Sequence, residues 1–306
     1  MKKIFNICLV SLVLFVSAST VAADELRVAT GQKGKGYSLF FKDLNQVCGK
    51  ETTLIEVETK GSLDNVDKLV TNEADIGFVQ LDTMYQMQNS DDQVKKLRAV
   101  ASMHSNMLHI LTLSAGVPMT VRNNDKSSYE LWKDDTKVQR MKISKFSQLK
   151  GMRVGLVGTA QIMVRKLDSM INFRFQTIDF NSDAEAIKAL KDGKISAVFT
   201  VAAFPHGIIN KFTQADGLSL VNYDLVPAMP YETTKKSYTK MNAYGVTFLS
   251  SRNMLISRNF SGTKSKTVQK LKQCISKNLS DFRDSYSPAW SEIDSLNNYY
   301  NLPQAK

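Results

Sequence analysis

One pattern constrains this chain more than any other: an order of strand, loop and helix that runs twice. In the first pass, Glu25 to Ala29 reads as a short strand ending in Thr30-Gly31-Gln32-Lys33-Gly34-Lys35-Gly36, after which Phe40, Leu44 and Val47 recur at helical spacing. Leu54 to Thr59 follows with partial alternation. Ser62 sets an N-cap before Leu63, Val66, Leu69 and Val70, and Ala74 to Gln80 is a nearly continuous apolar run, as expected of a strand buried on both faces. The same order returns 121 to 126 residues later. Arg153-Val154-Gly155 opens a strand, Val157 to Gln161 supplies a small-residue turn, and Ile162 to Met170 reads as a helix. Phe173 to Phe180 is the next strand, Ser182-Asp183-Ala184-Glu185 a capping box, and Ala197-Val198-Phe199 a buried strand. Such a repeat is hard to reconcile with one continuous sheet. It predicts two α/β lobes, each a mostly parallel sheet flanked by helices.

The remaining segments fix the boundaries. Leu108 to Leu113 reads as a strand leaving the first lobe, and Tyr244 to Ile256 as two short β-rich runs leading back. Val268, Leu271, Ile275, Leu279 and Phe282 then form one amphipathic helix starting near Ser265 or Thr267. The expected organisation is lobe one over 24–112, completed by 246–306, and lobe two over 113–245, with a surface excursion near 119–141. The chain crosses twice, so the lobes share a two-strand hinge.

Residues 1–23 read as a secretory signal. Lys2 and Lys3 precede the apolar run Ile7 to Val16, and Val21-Ala22-Ala23 places small residues before Asp24, so cleavage is expected after Ala23 and a periplasmic product follows. The run is well short of the roughly 20 residues that span a bilayer. Export leaves two cysteines, Cys48 and Cys274. In an oxidising compartment they form either a disulfide closing 226 residues, for which chain entropy allows about 5 kcal/mol as an upper figure, or two unrelated buried thiols.

The formal net charge of +11 suggests an acidic partner, but it falls to +9 when Lys2 and Lys3 leave, and the rest is spread over several elements. Nucleic acid is excluded on that distribution and on export. Catalytic constellations are thin. The three histidines, His104, His109 and His206, make no metal-ligand pair, and there is no nucleophile elbow, Walker loop or Cys-x-x-Cys. The glycines at 31, 34 and 36 lack dinucleotide spacing. No enzyme, metal or cofactor is expected. The loops after the strands do suit binding, because a helix N-terminus offers free N–H groups and partial positive charge to an anion. Loop 30–37, Gly61-Ser62, Val157 to Gln161 and Asn181-Ser182 are the candidates, each with a plain capped turn as the alternative.

Four runs carry a resemblance: VATGQKGKGY (Val28 to Tyr37), KGSLDNVDKLVTNEADIGFVQLD (Lys60 to Asp82), LKGMRVG (Leu149 to Gly155) and ALKDGKISAVFTVAAFP (Ala189 to Pro205), with MPYE (Met229 to Glu232) a weaker echo. On these the chain resembles the TAXI-type solute-binding proteins of TRAP transporters, within the type II periplasmic-binding class. The resemblance implies a two-lobed, hinge-closing monomeric receptor that captures a small organic acid or an amino acid such as glutamate and delivers it to a TRAP-type membrane permease. It implies a pocket of Thr30, Gly31, Tyr37, Ser62, Asn65, Gln80 and Asp82 from lobe one with Thr159, Gln161, Phe204, Pro205 and Tyr231 from lobe two. Hydroxyls and amides would bond a carboxylate and aromatics would cover an apolar stem. The sequence departs from that pattern at Lys33 and Lys35, where the family's loop is richer in Gly and Thr, at Val157 to Gln161, and at Ala202-Ala203-Phe204. These changes bear on the ligand rather than the fold. The other reading is an envelope interaction or sensory-input protein that keeps the fold without transport.

Overall fold

The computed structural model describes residues 25–122 and 136–305; residues 1–23, where a secretory signal is expected, and the centre of the 119–141 excursion lie outside the described residues. In chain order the elements are β1 (Glu25–Ala29), α1 (Gly36–Cys48), β2 (Thr53–Val57), α2 (Ser62–Val70), β3 (Ile76–Gln80), α3 (Leu81–Gln88) and the long β4 (Arg98–Leu113). Next come β5 (Val117–Arg122), β6 (Thr136–Met141), β7 (Arg153–Val157), α4 (Ala160–Ile171), β8 (Gln176–Phe180), α5 (Asp183–Lys191), β9 (Ala197–Ala203) and β10 (Leu218–Leu220). The chain ends with β11 (Glu232–Tyr238), the long β12 (Ala243–Ser257), α6 (Gly262–Lys277) and α7 (Leu279–Ser285).

Each half of the repeat makes its own parallel triplet, β2-β1-β3 in lobe one and β9-β7-β8 in lobe two. The hydrogen-bonded path is nevertheless continuous, in the order β2-β1-β3-β12-β4-β9-β7-β8. That corrects the expectation of two separate sheets. The physical reason is the hinge itself: β4 and β12 are antiparallel neighbours long enough to serve both lobes. Beside β12, Asn253–Ser257 pair with β3, while Glu232–Tyr238 of β11 pair with its first half. Asn106–Leu111 of β4 pair with β9. Two further expectations shift for the same reason: β12 is one strand rather than two short runs, and β4 begins ten residues before Leu108. The C-terminal helix also starts earlier, at Gly262, and breaks at Asn278 into α6 and α7.

Apolar side chains pack on both faces of both lobes. In lobe one, α1, α6 and α7 cover one face through Phe40, Leu44, Leu271 and Phe282, and α2 with α3 covers the other through Val66, Leu69, Leu81 and Met84. In lobe two, Met163, Val164 and Leu167 of α4 cover one face and Ala186, Ile187 and Leu190 of α5 the other. This two-sided burial is why β3, IGFVQ, is buried at every position. Gly77 permits the close fit, since a Cβ there would sit 3.1 Å from Ala29 Cβ and 3.6 Å from Asn65 Cβ.

Cys48 at the end of α1 is bonded to Cys274 on α6, so the returning C-terminal helix is stapled to lobe one. Trp290, fully buried, donates from Nε1 to Asp43 Oδ2 on α1 at 2.8 Å. The chain then runs along the hinge, where Glu292 pairs with Lys236 of β11 at 2.5 Å and the Tyr300 hydroxyl donates to Glu232 Oε1 at 3.1 Å. The flanks of the excursion are not irregular: β5 and β6 form an antiparallel ribbon from Val117↔Met141 to Arg122↔Thr136. No helix among the described residues is long and apolar enough to cross a membrane.

Candidate functional site

The parallel strands of each lobe deliver their following loops to one edge, and the candidate site is built from those loops. After β1, Thr30 is pinned by its hydroxyl, which donates to Glu56 Oε1 at 3.0 Å, and Lys33 N donates to Glu58 Oε1 at 3.0 Å. The loop enters α1 at Lys35 with no side-chain cap and no acidic residue in the first turn. Helix α2 begins after Gly61, again without a side-chain cap, and α4 begins after Thr159 in the same condition. Helix α5 differs. The Ser182 hydroxyl accepts from Glu185 N at 3.3 Å and Glu185 Oε2 accepts from Asn181 N at 3.3 Å, so this N-terminus is closed by its own residues. Of these four starts, α1 and α4 have neither a side-chain cap nor a first-turn acid; at α2 the Asp64 carboxylate accepts from Lys60 N at 2.9 Å, and at α4 Gln161 N and Ile162 N donate to Gly158 O (3.1 Å) and Thr159 O (3.2 Å).

Ser62 was expected at the N-cap; it is the first residue of α2 instead, because its hydroxyl is taken by Gln80 N at 3.0 Å. That contact belongs to a larger network. Tyr37, stacked on Phe78 with centroids 5.4 Å apart, lies 3.1 Å from the Ser62 hydroxyl and donates to Asn253 Oδ1 at 2.5 Å. Asn106 donates to Gln80 Oε1 at 2.9 Å and to Asn253 Oδ1 at 3.3 Å. Gln80 Nε2 donates to Asp82 Oδ1 at 3.2 Å, and the same oxygen accepts from Ser251 Oγ at 3.0 Å and Thr83 N at 2.9 Å. Asp82 Oδ2 accepts from the Tyr231 hydroxyl of lobe two at 3.3 Å. Burial pushes the Asp82 carboxyl above the usual aspartate range, and the donors from Ser251, Thr83, Gln80 and Tyr231 pull it part of the way back. Burial likewise raises the Tyr37 and Tyr231 phenols.

The structure thus brings Tyr37, Ser62, Gln80, Asp82 and Tyr231 into one hydrogen-bonded set. Thr30 and Asn65 sit behind it: Asn65 Nδ2 donates to the carbonyls of Thr30 (2.5 Å) and Phe78 (2.6 Å), and its Oδ1 accepts from Thr59 at 2.5 Å. Gly31 lies against the Tyr37 ring, where a Cβ would be 3.6 Å from Cδ2. Thr159, the N-cap of α4, and Gln161 on its first turn are half-buried, outside the network. Phe204 and Pro205 follow β9 across a cis peptide bond, with Phe204 edge-on to Tyr238 at 5.2 Å.

Sequence reasoning missed Asn106, Ser251 and Asn253, which come from the hinge strands and complete the network. A signal was present: His104-Ser105-Asn106 and Ser250-Ser251-Arg252-Asn253 interrupt apolar strands, and buried polar groups must find partners. His104 is the far end of the set, with Asn253 Nδ2 lying 3.1 Å from its Nε2 and its ring stacked on Phe40 at 4.3 Å. Burial, helped by the charge of Arg252, lowers its pKa to about 3. His109 and His206 meet at Tyr238 in lobe two: the Tyr238 hydroxyl lies 2.9 Å from His109 Nε2 and accepts from His206 N at 2.8 Å. His206 is held neutral by burial against the pull of Asp183, and the charge of Lys35 lowers it further.

No family model and no curated protein matches this chain. Solved structures do. The ligand-binding core of GluR0 in complex with L-glutamate aligns over 87% of this chain and 99% of its own with a TM-score of 0.50 and 12% identity. A TctC solute-binding protein from Polaromonas, without ligand, aligns over 89% and 88% with a TM-score of 0.51 and 13% identity. The fold is that of the two-lobed periplasmic binding proteins. In this periplasmic-binding fold the hydroxyl and amide donors of lobe one point at each other and at Asp82. The start of α1 has neither a side-chain cap nor an acidic residue in its first turn, and the exposed Lys33 and Lys35 lie in the loop that leads into it. Among the described residues no group of three His, Cys, Asp or Glu side chains is placed to hold a metal ion.

Proposed function

We propose that this protein is an exported solute-binding receptor that takes a small organic acid or a glutamate-like amino acid between its lobes and delivers it to a TRAP-type permease. The observation that carries the reading is the start of α1 at the end of a parallel strand, with no side-chain cap, no first-turn acid and Lys33 and Lys35 in the loop before it, in a fold whose second lobe brings α4 to the matching strand end. Such ends attract carboxylates through oriented N–H groups and the helix dipole. A wall already satisfied by its own hydrogen bonds needs little reordering when ligand arrives, which favours affinity. Tyr37, Gly31, Thr159, Gln161, Phe204 and Pro205 are assigned to the ligand's surroundings. Asn65, Gln80 and Asp82 are assigned to holding that wall.

The test is differential scanning of the mature protein against dicarboxylates, tricarboxylates and amino acids, L-glutamate included. The expected result is a rise in Tm for one class, since ligand at 100 Kd adds about 2.7 kcal/mol. A flat response across the whole panel overturns the receptor reading. Delivery is read separately, as ligand uptake into spheroplasts that depends on adding the loaded protein.

A further inference from the structure

The far ends of the two lobes, where the parallel strands begin rather than end, carry different charge. In lobe two, Lys150 and Arg153 stand at the start of β7, Arg174 just before β8, and Lys191 and Lys194 just before β9, all exposed. These starts form one surface: Gly151 N donates to Phe173 O at 2.8 Å, Gln176 N to Met152 O at 3.0 Å and Ser196 N to Arg153 O at 2.7 Å. With strands about 4.8 Å apart, the cations share a patch roughly 15 Å wide. The β5–β6 ribbon rises from the same end, its Pro118 Cγ 3.9 Å from where a Cβ on Gly193 would be. It adds exposed Arg140 and an apolar Val138 that is 72% exposed. Among the described residues Asp192 is ion-paired with this set, shared by Lys188 at 2.7 Å and Lys194 at 3.8 Å. Arg140 and Arg174 donate to neutral oxygens, Gly116 O and Asn172 Oδ1.

At the matching end of lobe one Arg27, Lys264, Arg258 and Lys68 each have a carboxylate partner. Buried Asp75 is ringed by Arg27 (3.1 Å), Lys264 (3.1 Å) and Arg258 (3.6 Å), and Lys68 pairs with Glu73 at 2.5 Å. Counted over the sequence, residues 113–245 hold 19 Lys and Arg against 12 Asp and Glu, while 24–112 with 246–306 hold 19 against 17.

We propose that the strand-start end of lobe two is a docking surface for a bilayer bearing anionic phospholipid headgroups. Flexible cations spread over three strand starts and a ribbon match a plane of phosphates, each basic side chain near such a surface strengthening binding about fivefold. Val138 beside Arg140 supplies the apolar contact that a peripheral protein sets into the headgroup layer. The surface lies at the opposite end of the strands from the cleft, so docking leaves the ligand's entrance open and does not depend on what the cleft binds.

The test is co-sedimentation of the mature protein with phosphatidylcholine vesicles with and without phosphatidylglycerol. Binding is expected only with phosphatidylglycerol, and it should vanish at high salt, where the Debye length is about 3 Å. The variant Lys150→Glu/Arg153→Glu/Arg174→Glu should weaken it by at least about tenfold. The control Lys50→Glu/Lys266→Glu/Lys277→Glu, with the same change in net charge placed on lobe one, should keep it. Circular dichroism melts confirm that both fold. No binding to anionic vesicles at low salt overturns the proposal, as does equal loss in both variants, which would make net charge the cause. Vesicle binding unaffected by Val138→Ser and displaced fully by polyglutamate would assign the surface to an acidic protein instead, and the membrane proposal would fall.

Discussion

Lobe one closes its side of the cleft with side chains that hold one another, whereas lobe two closes its side with aromatic rings, a cis-proline turn and one uncapped helix. At the repeat offset of 121 that aligns Val66 with Ile187, Asn65 of lobe one corresponds to Ala186 of lobe two. The polar staple that ties β1 and β3 to the loop after β2 in lobe one therefore has no counterpart in lobe two. Equal strand order does not give equal walls. Lobe one is also the half that the disulfide and the C-terminal chain reinforce, so it is the more heavily cross-linked half.

The strongest way to break that contrast is to remove the staple. Replacing Cys48 and Cys274 with Ser should cost about 5 kcal/mol at most, given the 226-residue separation, and lobe one should melt before lobe two. Hydrogen exchange resolved by segment reads this directly, and simultaneous loss of protection in both lobes would refute the asymmetry.

Next in size is Asn65→Ala. It leaves the Thr59 hydroxyl and the carbonyls of Thr30 and Phe78 without their buried partner, an expected loss of about 3 kcal/mol in urea melts. A variant with normal stability and weaker ligand binding would move Asn65 from the wall into the ligand's contacts.

The smallest effect near neutral pH is acid sensitivity, which builds only as the pH falls below about 6.5. His104 has a folded pKa of about 3 against about 6.5 unfolded, so its contribution to stability is complete above about pH 6.5 and is lost as the pH falls toward 3, by about 1.4 kcal/mol per unit. Asp82, shifted upward by burial, acts the other way: its penalty fades as the pH drops through its folded value. His104→Gln keeps an acceptor for Asn253 and should flatten the slope between pH 6.5 and 3, measured as urea midpoints across that range. An unchanged slope would place the acid sensitivity with His109 and His206 in lobe two.

Much of the architecture was legible in particular residues. The apolar run Ile76–Gln80 reads as a doubly buried strand because helices cover both its faces, and Ser182 reads as the cap of α5 because the Glu185 N–H it accepts is three residues away; the return bond of the expected capping box goes to Asn181 N rather than to Ser182 N. The hinge was legible only in part. Leu108–Leu113 was visible as β, but Arg98–Ser105 was not, since its polar residues His104 and Ser105 break the apolar pattern there. His104 belongs with Asn106, Ser251 and Asn253 to the network that backs the cleft. Local periodicity registers them as interruptions, while their partners lie about 150 residues away.

The sequence by itself determined the doubled strand and helix order, the helix starts at the ends of parallel strands, and the two cysteines available to each other, because these depend on local pattern and on residue count. Tertiary structure alone decided that the lobes share one hydrogen-bonded path through β4 and β12 and that Asp82 is held by Ser251 and Tyr231. It alone decided too that the unneutralised cations gather at one end of lobe two. Each of these depends on which distant strands become neighbours, and that is set by the packing of whole layers rather than by the preference of any one segment.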